Sequence, residues 1–219
     1  MEKTTGDSYY PVFLDRRGRR CVVVGGGEVA RRKVEGLRAA GAEVTVIAPK
    51  MQEMPPGAII VEREFQPGDL DGAFFVISAT DDRVVNSAVA AEAEERGILI
   101  NVVDVPGESS VILPAVVRRG EFVLAVSTGG ASPALARRLR ERLEVEFGEE
   151  YGELIVFLKE LRRTWEPRYK AEDIPHGARK AAWEEVLDLP LLDWLREGQA
   201  QRAKEAAEEI LKRMVNDEW

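Results

Sequence analysis

The stretch from Cys21 to Lys50, CVVVGGGEVARRKVEGLRAAGAEVTVIAPK, constrains the fold more than any other part of the chain. An unbroken apolar run, Cys21 to Val24, drives into Gly25-Gly26-Gly27. Continuous β-branched residues without alternation suit a strand buried on both faces, as in a parallel sheet. From about Glu28 to Ala40 the residues Val29, Val34, Leu37 and Ala40 recur near helical spacing, and Gly41 offers a stop. A second apolar run, EVTVIAP, closes at Pro49. The pattern predicts strand, glycine turn, helix and parallel strand.

The same alternation continues. AIIVER (58–63) reads as a third strand, AFFVISATDD (73–82) holds a fourth, residues 83–96 form a helix ended by Gly97, and ILINVVD is the fifth strand. Strands alternating with helices at short intervals call for an open α/β sheet with helices on both faces. After Asp104 the pattern changes. SSVILPAVVRRGEFVLAVST holds two β-rich runs split by Arg118-Arg119-Gly120, an antiparallel hairpin. Ser132 then caps a helix with Pro133 at its first position. From Glu149 on the chain is helical and polar, with expected breaks at Trp165, Pro167 and DIPHG and at DLPLLDWL, and a last amphipathic helix over QAQRAKEAAEEILKRMV. Residues 1–8 are polar and read as a frayed end, and YYPVFLD (9–15) as a short apolar lead-in.

A net charge of −8 over 219 residues argues against a nucleic-acid partner. No run approaches the roughly 20 apolar residues of a membrane span, and the start of the chain has no apolar signal region, so a cytoplasmic protein is expected. Cys21, the single cysteine, reads as a small buried hydrophobe. His176, the single histidine, reads as a loop residue, and no His/Cys/Glu constellation stands at metal-ligand spacing; no metal site is expected.

The candidate site residues follow from the strand ends. Gly25-Gly26-Gly27-Glu28-Val29-Ala30 fits G-x-G-x-x-A: a tight turn, close approach to a pyrophosphate, and close helix–strand packing, with the helix N-terminus supplying N–H donors. An acid at the end of the second strand would bind the ribose hydroxyls of NAD and repel a 2′-phosphate; here that strand ends in Pro49-Lys50, which leaves NAD against NADP open on the motif alone. SATDDRVVN follows strand four, so Ser78, Ala79 and Thr80 are candidates to line a dinucleotide, while Asp81 or Asp82 suits a helix cap. Asp104 ends strand five at the same edge; partial burial would raise its pKa and suit it to proton transfer, and taken alone it also suits a turn. Ser127-Thr128-Gly129-Gly130 precedes a helix and offers hydroxyls and amides to an anion. Arg137, Arg138, Arg140 and Arg142 follow on that helix with forks suited to carboxylates, and most of them suit a solvated face paired with Glu141, Glu144 and Glu146; Arg118, Arg119, Arg137 and Arg138 are the candidates for an anionic substrate.

Taken together and in this order, the glycine-rich βαβ, ISATDDRVVN, and INVVDVPGESSVILPAVVRRGEFVLAVSTGGASPALARRLRERLE resemble the precorrin-2 dehydrogenase/sirohydrochlorin ferrochelatase family, a module of siroheme synthases. The resemblance covers residues 9–147 well and the tail more loosely; NVVD and VSTGGASPALARRLRE are its most particular parts. It implies a Rossmann-like NAD-binding domain (1–113), a dimerisation segment (114–147) and a helical C-terminal domain (148–219) in a homodimer. It implies oxidation of precorrin-2, a tetrapyrrole with eight carboxylates, to sirohydrochlorin with NAD, and in some members insertion of ferrous iron. Family members share the VIAP strand end while using NAD. By the same resemblance Asp104 is the essential aspartate, Glu28, Val29, Pro49 and Lys50 contact NAD, and Thr128 stands where a relative carries a catalytically implicated, phosphorylatable serine. Two other readings stay open: a dehydrogenase without chelatase activity, and a non-enzymatic NAD-sensing module.

Overall fold

A computed structural model describes residues 9–215. The chain forms two compact units: the residues through Leu113 with Gly129–Ala131, and Pro114–Thr128 with the residues from Ser132 on. The first unit holds β1 (Arg20–Val24), α1 (Glu28–Ala39), β2 (Glu43–Ile47), β3 (Ile59–Val61), β4 (Phe75–Ser78), α2 (Arg83–Glu95) and β5 (Leu99–Val102). Its five strands are all parallel, in the order β3-β2-β1-β4-β5.

The central strand shows why the sequence runs unbroken. Cys21 and Val23 face one layer with Ala30, Val34 and Leu37 of α1, and Val22 and Val24 face the other with Val89 and Ala93 of α2. A strand covered on both faces has no position to spare for a polar residue. Cys21 is fully buried, and burial pushes its thiol up. The α1 stripe differs from the sequence expectation at its start. Ala30, not Val29, faces the sheet, and Val29 is exposed. The short alanine lets the helix close on the strands where a valine would hold it off.

The second unit opens with the hairpin β6 (Ala115–Arg119) and β7 (Phe122–Val126), followed by α3 (Pro133–Glu146), α4 (Glu150–Ala171), α5 (His176–Asp188), α6 (Leu191–Arg196) and α7 (Ala200–Val215). Leu161, Trp165 and Tyr169, spaced four apart on α4, pack with Ala182 and Val186 of α5, Leu191 of α6, and Ala203, Ala207, Ile210, Leu211 and Met214 of α7. Two expectations are corrected here. The chain does not break at Trp165 or Pro167: α4 runs through both. Pro167 removes one amide from the helix ladder, but the buried Trp165 and Tyr169 on either side hold the helix to its core. The break falls after Ala171, and His176 is the first residue of α5 rather than a loop residue. Residues 1–8 lie outside the described residues.

Candidate functional site

The loops after β2, β1, β4 and β5 leave the carboxyl edge of the sheet side by side. Backbone hydrogen bonds join them into one rim. Gly25 N–H donates to Ile47 O (2.9 Å), Gln52 N–H to Gly26 O (2.8 Å), Ala79 N–H to Val24 O (2.7 Å) and Val103 N–H to Ser78 O (2.9 Å). The chain winds outward from β1 through β3 and returns to β4 beside β1, so the switch point of the sheet lies between β1 and β4. Open α/β sheets bind ligands in the crevice at that point.

The three glycines there have different tasks. Gly25 has φ +130°, and a Cβ on it would stand 2.3 Å from Ala79 O. A Cβ on Gly26 would stand 2.0 Å from Lys50 O. These two let the turn pass between its neighbouring loops. Gly27 is the N-cap of α1, at φ −88°, and its own side chain would meet nothing within 4 Å. No side chain caps this helix. The first-turn amides have no carbonyl one turn earlier, and they carry the positive end of the helix dipole. An open space over uncapped amides, walled by glycine, fits the pyrophosphate of a dinucleotide.

Around that cradle, Glu28 turns away along the helix. Its carboxylate accepts two bonds from Arg31, each 2.8 Å, and this pairing holds it below its usual carboxylate range. Pro49 and Lys50 are exposed at the end of β2. Ser78 is fully buried: its hydroxyl donates to Asn86 Oδ1 (2.7 Å), and Asn86 Nδ2 donates to Thr80 O (3.0 Å). The Ser78 hydroxyl therefore braces the β4 turn from beneath, and Ala79 and Thr80 present the turn's upper side. Asp82, as one of the two acids expected to cap, accepts from Val84 N–H (2.8 Å) and Val85 N–H (3.2 Å). Asn86 was not singled out from sequence; a polar residue on the α2 face that also carries Val89 and Ala93 was the available signal.

Asp104 follows β5 in the left-handed region, at φ +60°. Aspartate tolerates that conformation better than most residues, so the turn-forming role holds. The partial burial expected for it does not: Asp104 is exposed, because the turn lifts it above the sheet edge. A second group at this edge is Lys33 of α1. It is half-buried, and burial is the main cause that lowers its pKa, with Arg32 adding to the lowering and the Asp104 charge opposing it.

The remaining candidates belong to the second unit, apart from Gly129, which goes with the first. Thr128 Oγ1 accepts from Ser132 N–H (3.1 Å) and donates to Ser132 O (3.1 Å), and Ser132 Oγ caps α3 through Leu135 N–H (3.2 Å). Ser127 directly follows β7. Arg119 is committed to structure. It donates to Phe147 O (3.0 Å), Glu144 O (2.9 Å) and Arg118 O (3.2 Å) and pairs with Glu149. Arg137 lies 3.9 Å from Glu141 on the same exposed face. Arg118 and Arg138 are exposed and make no ion pair among the described residues.

A parallel sheet wound outward from a central strand, with a glycine cradle at its switch point, defines a Rossmann-like dinucleotide-binding protein. Comparison with known proteins narrows the class. Residues 12–115 match the family described as "Putative NAD(P)-binding", and residues 124–146 match "Sirohaem biosynthesis protein central". The siroheme synthase of Methylobacillus flagellatus is 40% identical over 207 residues, which cover 92% of this chain and 44% of that protein. That of Chromobacterium violaceum is 42% identical over 204 residues, 90% of this chain and 42% of that protein. The chain thus spans less than half the length of the curated relatives it matches. Among solved structures, SirC, a precorrin-2 dehydrogenase, superposes with a TM-score of 0.70 at 28% identity, covering 92% of this chain and all of that one. Over most of its length the chain is similar to precorrin-2 dehydrogenase and to the corresponding part of siroheme synthases.

Proposed function

We propose that the protein oxidises precorrin-2 to sirohydrochlorin with NAD, as a step in siroheme biosynthesis. The observation that carries the reading is the common rim: the glycine cradle after β1 and the exposed carboxylate of Asp104 after β5 stand on one sheet edge. They are separated by two strand spacings, roughly 10 Å. That is the scale over which a dinucleotide held at one point and a base at another act on one substrate. SirC, covered over its full length by 92% of this chain, carries the name of this activity.

Gly25, Gly26, Gly27 and the first turn of α1 would hold the pyrophosphate, with Val29, Pro49, Lys50, Ala79 and Thr80 beside it. The bound nicotinamide supplies the hydride acceptor. The oxidation removes one hydride and one proton, and Asp104 is the base we assign to the proton. Its exposure leaves the carboxylate open to substrate. It lies in a left-handed turn, at φ +60°. Thr128, Ser127, Gly129, Arg118, Arg137 and Arg138 are proposed for the substrate's hydroxyl-binding and carboxylate-binding positions. Arg119, already saturated by carbonyls, is the weakest of the arginine candidates.

Division into an NAD-binding domain (1–113), a dimerisation segment (114–147) and a helical domain (148–219) belongs to the same reading. The helix α3 supports a homodimer: none of its residues is buried within one chain, and Leu135 and Val145 stand exposed on it. No helix among the described residues is long and apolar enough to cross a membrane; a cytoplasmic location belongs to the same proposal.

Purified protein, NAD and freshly made precorrin-2 are mixed anaerobically and the spectrum followed. The sirohydrochlorin chromophore appearing with stoichiometric NADH is the expected result. Ferrous iron added to the same cuvette then reads chelation: a siroheme spectrum gives the bifunctional form, and no change gives the dehydrogenase alone. NAD binding without any chromophore would overturn the enzymatic reading and favour an NAD sensor.

A further inference from the structure

Lys33 is the one lysine of α1. It sits three residues after Ala30, one before Val34 and four before Leu37, so it borders the helix's buried stripe. It is half-buried. Val103, the residue before Asp104, packs against the same apolar layer as Val34 and Ala30. The two elements therefore bring the Lys33 ammonium and the Asp104 carboxylate into each other's field.

They do not close on each other. Among the described residues Lys33 makes no ion pair and no hydrogen bond, although the rest of α1 is laced with them: Arg31 pairs with Glu28 and Glu35, and Arg32 lies 3.9 Å from Glu28. A half-buried ammonium without an acceptor is a cost to the folded chain. The acceptor that would relieve it is an anion from outside. A substrate carboxylate reaching this sheet edge would supply that acceptor.

We propose that Lys33 binds a carboxylate of the tetrapyrrole and so fixes which carbon of the macrocycle faces Asp104. This rests on the precorrin-2 reading above. An ammonium is a compact charge on a flexible stem, so it follows a carboxylate arm without dictating the arm's plane. Pinning one of eight carboxylates next to the base restricts how the macrocycle lies over the rim.

The test compares wild type with Lys33→Met and Lys33→Arg in the anaerobic dehydrogenase assay. Lys33→Met should raise the KM for precorrin-2 about 10- to 100-fold, the loss of one charge-assisted hydrogen bond. The KM for NAD should stay within about twofold, and Lys33→Arg should recover most of the loss. The thermal midpoint of Lys33→Met should equal or exceed that of wild type, since a half-buried charge without an ion pair among the described residues is replaced by an apolar stem of similar length. Equilibrium binding of sirohydrochlorin, followed by its absorbance, should weaken by the same factor. An unchanged precorrin-2 KM and unchanged product binding would overturn the proposal, as would a loss of NAD affinity of equal size. Failure of the wild type itself to turn over precorrin-2 is a different result: it sinks the functional reading, and the product-binding comparison then decides Lys33 independently.

Discussion

Replacing the three glycines of the turn one at a time should separate two jobs that the motif runs together. In Gly26→Ala the new methyl would stand 2.0 Å from Lys50 O and 3.0 Å from both Lys50 C and Met51 Cα. All three are backbone atoms, so relief needs about 1 Å of main-chain movement in a close-packed region. That loop is also tied down by the bond from Gln52 N–H to Gly26 O at 2.8 Å. Overpacking of this kind costs about 2–3 kcal/mol, or a thermal midpoint lowered by roughly 9–13 °C in the unit that carries it. Gly25→Ala meets Ala79 O at 2.3 Å and also a φ of +130°, so its loss should be at least as large. Gly27→Ala meets nothing. Alanine at an N-cap is poorer than glycine by roughly 0.5–1 kcal/mol, about the amount gained by restricting the unfolded chain, so the midpoint should move by less than about 2 °C. Its methyl would instead occupy the space over the α1 amides. NAD binding should weaken about tenfold or more, one displaced hydrogen bond to a charged group. Differential scanning calorimetry and NAD titration on the same preparations measure both quantities. A midpoint for Gly26→Ala equal to wild type would refute the packing argument. Wild-type NAD affinity in Gly27→Ala would refute the placement of the pyrophosphate.

Other outcomes follow from the same geometry. Asp104→Asn keeps a side chain that tolerates φ +60° while removing the base; turnover of precorrin-2 should fall at least about 100-fold with NAD affinity unchanged, and retained turnover would remove Asp104 from the chemistry. Arg119→Ala should act on stability and not on substrate: it strips the donors from Phe147 O and Glu144 O, lowering stability by about 1–3 kcal/mol, and a rise in precorrin-2 KM at unchanged midpoint would contradict this. Asp69 accepts from Arg63 (2.6 and 2.7 Å) and from Gln66 N–H (2.7 Å), and the Arg63 bonds hold its carboxyl below the ordinary 3.8. A depressed folded pKa gives stability that is present above the unfolded value and is lost as pH falls through the folded one. Asp69→Asn should therefore melt earlier than wild type at neutral pH, with the gap closing below about pH 4; a gap independent of pH would show that the carboxylate charge is not what matters.

The sequence by itself determined the first unit almost to the residue. Unbroken β-branched runs, glycine stops and short helical repeats are local signals, and a parallel sheet buried on both faces leaves little else they can encode. It also determined the strand ends, and with them most of the rim on which Gly25, Ala79 and Asp104 stand. What the tertiary structure decided is which side of each residue does the work. Ser78 was read as a residue lining the ligand, yet its hydroxyl is spent beneath the turn on Asn86, a partner eight residues away that the spacing does not announce. Arg119 was grouped with the other arginines, and only the return of α3 beside β6 showed its fork filled by carbonyls. Trp165 and Pro167 looked like a helix end; burial of Trp165 and Tyr169 against three later helices overrode the local preference. Nothing along the chain marks Lys33, because its partner in charge lies beyond four further strands and a helix. Periodicity is written in neighbours along the chain, whereas electrostatic fields and hydrogen-bond saturation depend on neighbours in space, and these exist only once the sheet has wound.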